Sequence, residues 1–224
     1  MFSRSIGLLG PDNFKKLQDK TIAVIGLGGV GGTALEALAR SGVEHFIIID
    51  FDKVDASNLN RQILYTANDV GKSKVRCAAE RILSINKHAN IVEISQKIAQ
   101  NPGEILENYK IDYIIDAIDD VDGKVELIKY AEIKNIPIIV SLGVAKRINP
   151  SEVIITRLDK TTSDPLAKKL RYLVKQSGVP TKNIMVAFSK EEPLTTGREL
   201  NSMMFVPSSA GLNIASYVIK ELIK

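Results

Sequence analysis

Short runs dominated by β-branched residues alternate along this chain with longer stretches whose apolar positions recur every three or four residues. That alternation is the pattern of strands and helices in βαβ units. Residues 21–25, 45–50, 91–95, 111–116 and 136–140 are predicted strands, and 29–41, 73–86 and 123–134 are predicted helices. Runs such as IDYIID and IPIIV are apolar almost throughout. A strand of that kind suits a parallel sheet covered on both faces.

The texture changes after Gly143, with predicted strands at 153–157 and 184–188, a basic helix at 165–176 and a last helix at 209–222. The polar segment 189–204, SKEEPLTTGRELNSMM, lacks periodicity and is expected to be a surface loop or a mobile flap. No repeat or low-complexity tract interrupts this order. The chain is therefore read as one domain over 1–224, with a nucleotide-binding core at 1–143. Residues 144–224 form a strand and helix extension that binds substrate and contacts a second subunit.

Hydrophobic residues make up 45% of the 224 and charged residues 25%, which excludes the disordered and membrane-spanning classes. A formal net charge of +4 favours polyanionic partners without identifying one. The single cysteine rules out an intramolecular disulfide and a four-thiolate zinc site. No apolar run approaches the roughly 20 residues needed to span a bilayer. These features predict a cytoplasmic protein without a membrane partner.

The first strand runs into Gly26, Leu27, Gly28, Gly29, Val30 and Gly31, and a helix follows. Glycines at that turn let the backbone approach a phosphate, and the helix start supplies free N–H groups and the positive end of its dipole. Asp50 closes the next strand, where a carboxylate accepts from ribose hydroxyls. This is a Rossmann-like α/β arrangement, a mostly parallel sheet with helices on both faces, and to this point NAD fits as well as ATP. Beyond it come Asp52, then Asn58, Arg61 and Gln62 in SNLNRQ, then Lys72 and Lys74 in GKSK. Hydride transfer has no need of such positive charge, whereas attack on an α-phosphate needs cations on the phosphoryl oxygens. GKSK itself lacks the earlier glycine of a phosphate-binding loop.

In this order GLGGVGG, IDFD, SNLNRQ, VGKSK and DAIDD resemble the ubiquitin-activating-enzyme-like adenylating superfamily that includes bacterial ThiF and MoeB. The resemblance implies ATP as cofactor, with Gly26, Gly28, Gly29 and Gly31 at its phosphates and Asp50 and Asp52 near its ribose. It also implies triphosphate and α-phosphate contacts by Asn58, Arg61 and Lys74, and Mg positioning by Asp119. Arg4, in SRSIGLLG, resembles an arginine that such homodimers lend to the neighbouring active site.

Several of these residues have plainer readings: Asp116 caps a turn, Asn58 caps a short helix, and Lys72 is a solvated lysine. Cys77, within KVRCAAERIL, reads as a small core residue rather than a nucleophile. His45 and His88 have no second ligand close in sequence.

In the second half, SLGVAKRINPSE, LDKTTSDPLAKKLR, FSKEEP and FVPSSAGLNIAS resemble the tRNA threonylcarbamoyladenosine dehydratase branch of that superfamily. Membership implies activation of the threonine carboxylate of a modified adenosine beside the anticodon, followed by attack of the carbamoyl group and loss of AMP. Arg157, Lys160, Lys168, Lys169, Arg171 and Lys175 outnumber Asp159 and Asp164, a strip suited to tRNA phosphates. Related sequences can carry cysteines around the DPL position, whereas here Asp164 stands before Pro165, and no sulfur-transfer partner is identified. The competing readings are adenylation of the C-terminal glycine of a ubiquitin-like sulfur carrier, and a nucleotide-binding regulator without turnover. The missing zinc cysteines count against the first.

Overall fold

A computed structural model describes every residue except Ala99, Ser163, Arg198 and Leu200. The chain opens with α1 (Ser3–Leu9) and α2 (Pro11–Gln18), then follows β1 (Thr21–Ile25), α3 (Gly29–Ser41), β2 (His45–Ile49), α4 (Lys74–Ile85) and β3 (Asn90–Ile94). The short α5 (Gly103–Leu106) precedes β4 (Tyr113–Asp116), α6 (Val121–Lys134) and β5 (Ile138–Ser141). The second half supplies β6 (Val153–Arg157), α7 (Pro165–Gln176), β7 (Met185–Ser189) and α8 (Phe205–Leu222).

The strands form one seven-stranded sheet in the order β3-β2-β1-β4-β5-β7-β6. Every pairing is parallel except that of β6 with β7. The sheet continues past Gly143 without a break, because β5 pairs directly with β7. Both faces are covered through its central strands. Ile22 and Val24 of β1 and Phe46 and Ile48 of β2 pack into the cluster that holds Leu35, Leu38, Ile82 and Ile214 of α3, α4 and α8. The alternate residues Ala23, Ile25, Ile47 and Ile49 meet Leu106, Leu127 and Tyr130 of α5 and α6 on the other side. With period 2 along each strand, two covered faces require apolar residues at every position.

The sequence pattern misses α1, α2 and α5. Gly10 and Pro11 do break the chain, but they separate two helices: Gly10 adopts φ +79° and Pro11 takes the first position of α2, where its missing N–H costs nothing. Phe14 and Leu17 of α2 are buried. The last helix starts at Phe205 rather than 209, and its first turn buries Val206 and Pro207. The fifth strand shifts to begin after Pro137, which has no N–H to give a ladder. Segment 189–204 is a largely exposed surface stretch, with Arg198 and Leu200 outside the described residues. It is tied down where Leu194 N donates to Lys146 O (2.8 Å), Lys146 N to Asn201 O (2.8 Å) and Asn60 Nδ2 to Ser202 O (2.9 Å).

Candidate nucleotide-binding site

Strand order reverses between β1 and β4, and the crevice above their carboxyl ends is where open α/β sheets bind ligands. A cavity of about 440 Å³ occupies it, bringing together Gly26, Gly28, Gly29, Asp50, Asp52, Asn58, Arg61, Gln62, Lys74 and Asp119. Two sequence expectations fall outside its lining. Gly31 serves packing: a Cβ there would lie 1.9 Å from Gly26 O. Arg4 is exposed on α1 and is not among the lining residues.

The glycine turn is held by its neighbours. Gly26 adopts φ +86°, and a Cβ on it would lie 2.6 Å from Ala117 O of the loop after β4. Asp50, nearly buried, accepts from Leu27 N at 2.7 Å and from Asp52 N at 2.9 Å. Each carboxylate oxygen keeps a second lone pair for a further donor. Tyr65 closes the turn from the far side, its hydroxyl donating to Leu27 O at 2.9 Å. Burial, with a smaller contribution from the Asp50 charge, pushes that phenol up from its ordinary value. No side chain caps α3, so its first-turn N–H groups remain free for an anion.

The opposite wall is cationic. Lys74 opens α4, with its Nζ 2.9 Å from Asp52 Oδ2. Arg61 is half-buried and folded back on its own loop, donating to Ser57 O (2.7 Å) and Asn60 Oδ1 (2.8 Å). Asn58 caps the short turn after Asp55, its Oδ1 accepting from Asp55 N in a capping box, and it also lines the cavity. Lys72 pairs with Asp69 at the surface and does not line the cavity.

On the β4 side Asp119 is exposed at the cavity, while Asp120 caps α6 by accepting from Gly123 N at 3.2 Å. Below them Asp116 and Lys124 form a fully buried ion pair. Burial raises the Asp116 carboxyl, opposed by the Lys124 charge and hydrogen bond. Sequence reasoning did not single out Phe51, Gln96, Lys97, Ile98 and Ile118, which also line the cavity. Each follows the carboxyl end of a predicted strand, the one available signal. Lys97 Nζ lies 5.9 Å from the centroid of the Phe51 ring.

Among the described residues no group of three His, Cys, Asp or Glu side chains is arranged to hold a metal. A magnesium ion carried by a triphosphate needs only one or two carboxylates besides phosphate and water, and exposed Asp119 fits that demand. Cys77 is buried within α4, where burial pushes its thiol up, away from the reactive thiolate. The basic strip is narrower than expected. Arg157 is paired in fork geometry with Asp159, and Arg171 donates to Thr161. Lys168, Lys169, Tyr172 and Lys175 share the exposed stripe of α7. No helix among the described residues is long and apolar enough to cross a membrane.

A glycine turn, a buried carboxylate at the end of the second strand and a cationic wall in one crevice define a mononucleotide-binding α/β protein built for phosphoryl chemistry. The chain belongs to the ThiF family, whose model matches residues 2–180. Over its whole length it is 34% identical to the tRNA threonylcarbamoyladenosine dehydratase of Bacillus subtilis, covering 94% of that protein. It superposes with a TM-score of 0.93 on the E. coli tRNA N6-threonylcarbamoyladenosine dehydratase, TcdA, solved in complex with ATP. That match has 33% identity and covers 99% of this chain and 93% of the other. The same E. coli protein in complex with AMP matches equally well. These likenesses place the chain in the threonylcarbamoyladenosine dehydratase branch of the family.

Proposed function

We propose that this chain uses ATP to cyclise threonylcarbamoyladenosine in tRNA through a carboxyl adenylate. The observation that carries the reading is the union in one cavity of a nucleotide cradle with Lys74, Arg61 and Asp119. A carboxylate oxygen of the substrate attacks the α-phosphorus, forming the P–O bond of the acyl adenylate as pyrophosphate leaves. The carbamoyl group of the same side chain then attacks the acyl carbon, closes a five-membered ring and expels AMP. Water is lost overall, its oxygen leaving in AMP.

In this reading Asp50 binds the ribose, and the α3 N–H groups with Gly28 and Gly29 receive phosphate. Lys74 and Arg61 stabilise charge on the α-phosphoryl oxygens, Arg61 swinging from its carbonyl partners to do so. Magnesium, held through Asp119, would neutralise charge on the departing pyrophosphate. No enzyme nucleophile is required, because an intramolecular acceptor has a very high effective concentration. The buried Cys77 agrees with that.

Lysines 168, 169 and 175 supply the phosphate contacts to tRNA, and a second copy of the chain supplies Arg4. Exposed Leu8, 84% accessible on the same helix as Arg4, is an apolar side chain that the second copy can cover. The test is mass spectrometry of nucleosides after incubation with ATP and tRNA bearing threonylcarbamoyladenosine. The expected product is lighter by one water, and an unchanged nucleoside beside ATP-dependent activation of a sulfur-carrier protein would move the activity to that substrate.

A further inference from the structure

Asp116 ends β4 and Lys124 lies in the first turns of α6, with Nζ and Oδ1 2.9 Å apart and both side chains 0% exposed. Such a pair is a poor source of stability, since desolvating two charges offsets their attraction. A cation near the start of a helix also opposes the helix dipole. Fold stability therefore does not explain why the charges are there.

Their position does offer a reason. Between them runs the loop 117–120, and Asp116 Oδ1 also accepts from Ile118 N at 3.2 Å. Asp116 Oδ2 has no partner among the described residues, so Lys124 and Ile118 N alone orient the carboxylate. Ala117 N donates to Ile25 O at 2.8 Å, and Asp120 is engaged as the cap of α6. Asp119 is the exposed member of this loop. Open space lies on both sides: Ile118, Asp119 and Asp120 line the nucleotide cavity, while Asp120, Asp122 and Gly123 line a second cavity of about 730 Å³. Ala117 and Ile118 pack against the core on either side of the sheet, which leaves Asp119 as the member of the loop without such an anchor.

We propose that Lys124 is a positioning residue: through Asp116 it fixes the loop 117–120 and so sets how Asp119 meets the magnesium of the bound nucleotide. This rests on the proposed role of Asp119. Lys124 itself never reaches the nucleotide.

The experiment is a thermodynamic cycle. ATP affinity is measured by calorimetry with and without magnesium, together with kcat and KM for pyrophosphate release, for wild type, Lys124→Met, Asp119→Asn and the double variant. Lys124→Met is expected to keep ATP affinity without magnesium within about threefold while losing about tenfold of the gain that magnesium brings. Its kcat falls, and KM for tRNA does not move. Asp119→Asn shows the same loss, and the double variant loses no more than either single one. Losses that multiply in the double variant overturn the proposal.

Should Lys124→Met not fold, Asp116→Asn combined with Lys124→Met removes both charges at nearly constant volume. A wild-type response to magnesium in that protein also overturns the proposal. Wild type without turnover on modified tRNA would sink the functional reading, while the binding cycle would still decide the role of Lys124.

Discussion

Lys74 and Asp52 form a lopsided pair: their charged atoms are 2.9 Å apart, yet 6% of the lysine side chain is exposed against 48% of the aspartate. The cation is built into the cavity wall while its carboxylate partner remains solvated. A phosphoryl oxygen can take the place of Asp52 at little cost, because the aspartate has water to turn to. Lys74→Ala and Arg61→Ala are each expected to lower pyrophosphate release at least a hundredfold, about 3 kcal/mol, with the fold intact by circular dichroism. Near-normal turnover in either removes that residue from the chemistry.

Cys77 is a core residue, so Cys77→Ala should turn over like wild type. Loss of the buried sulfur is expected to cost about 1 kcal/mol, read as a lower midpoint in urea denaturation. A folded but dead variant would mean that the acyl group passes through a thioester.

The exposed stripe of α7 and the half-buried Arg171 are expected to separate on mutation. Charge reversal at Lys168, Lys169 and Lys175 should weaken tRNA binding and reduce the slope of log affinity against log salt by about 1 for each phosphate no longer neutralised. ATP affinity should not change. Arg171→Glu should instead lower thermal stability, since it strips Thr161 of its donor. Unaltered tRNA affinity after the triple reversal would place the RNA elsewhere.

Glu36 ties α3 to α4, accepting from Arg81 at 3.0 and 3.1 Å and from Arg40 at 2.8 Å. Burial alone would raise its carboxyl, but the hydrogen bonds from Arg81 and Arg40 outweigh burial and hold it below the ordinary 4.5. Between the folded and unfolded values the unfolded chain binds more protons. The stabilisation is therefore complete above about pH 4.5 and is lost as pH falls through the lower, folded value. Glu36→Gln should cost about 1 to 3 kcal/mol at pH 7 and make the acid limb of the stability profile shallower. An unchanged limb would assign acid sensitivity to other carboxylates.

Arg4 lies outside the cavity lining of its own chain, which suits a role in a partner's site. Arg4→Ala and Lys74→Ala should each be inactive alone, whereas mixing them gives mixed dimers with one intact site. With random exchange, about half the dimers are mixed, giving roughly a quarter of wild-type turnover. No recovery after exchange confirmed by native mass spectrometry would confine Arg4 to its own chain.

The sequence by itself determined most of the sheet and the order of the site. Residues 22–25 and 46–49 are apolar at every position because both sheet faces are covered, so period and composition report their burial directly. Gly26, Asp50, Lys74 and Asp119 were legible because each sits in a short motif just past a strand end or at a helix start, where parallel strands bring the ends together, and Asn58 and Arg61 through the motif SNLNRQ in the connection after β2. Helices α1, α2 and α5 were not legible, since they are too short for a 3.6-residue period to repeat. Only the tertiary structure decided that Gly31 packs on Gly26 rather than lining the cavity, that Arg171 and Arg157 are spent on local partners, and that Lys97 faces Phe51. It also decided that Lys124 is buried against Asp116. In sequence, Lys124 in VDGKVEL is indistinguishable from a solvated helix lysine. Its burial follows from the meeting of α6 with the end of β4, a distance in space that no local pattern records.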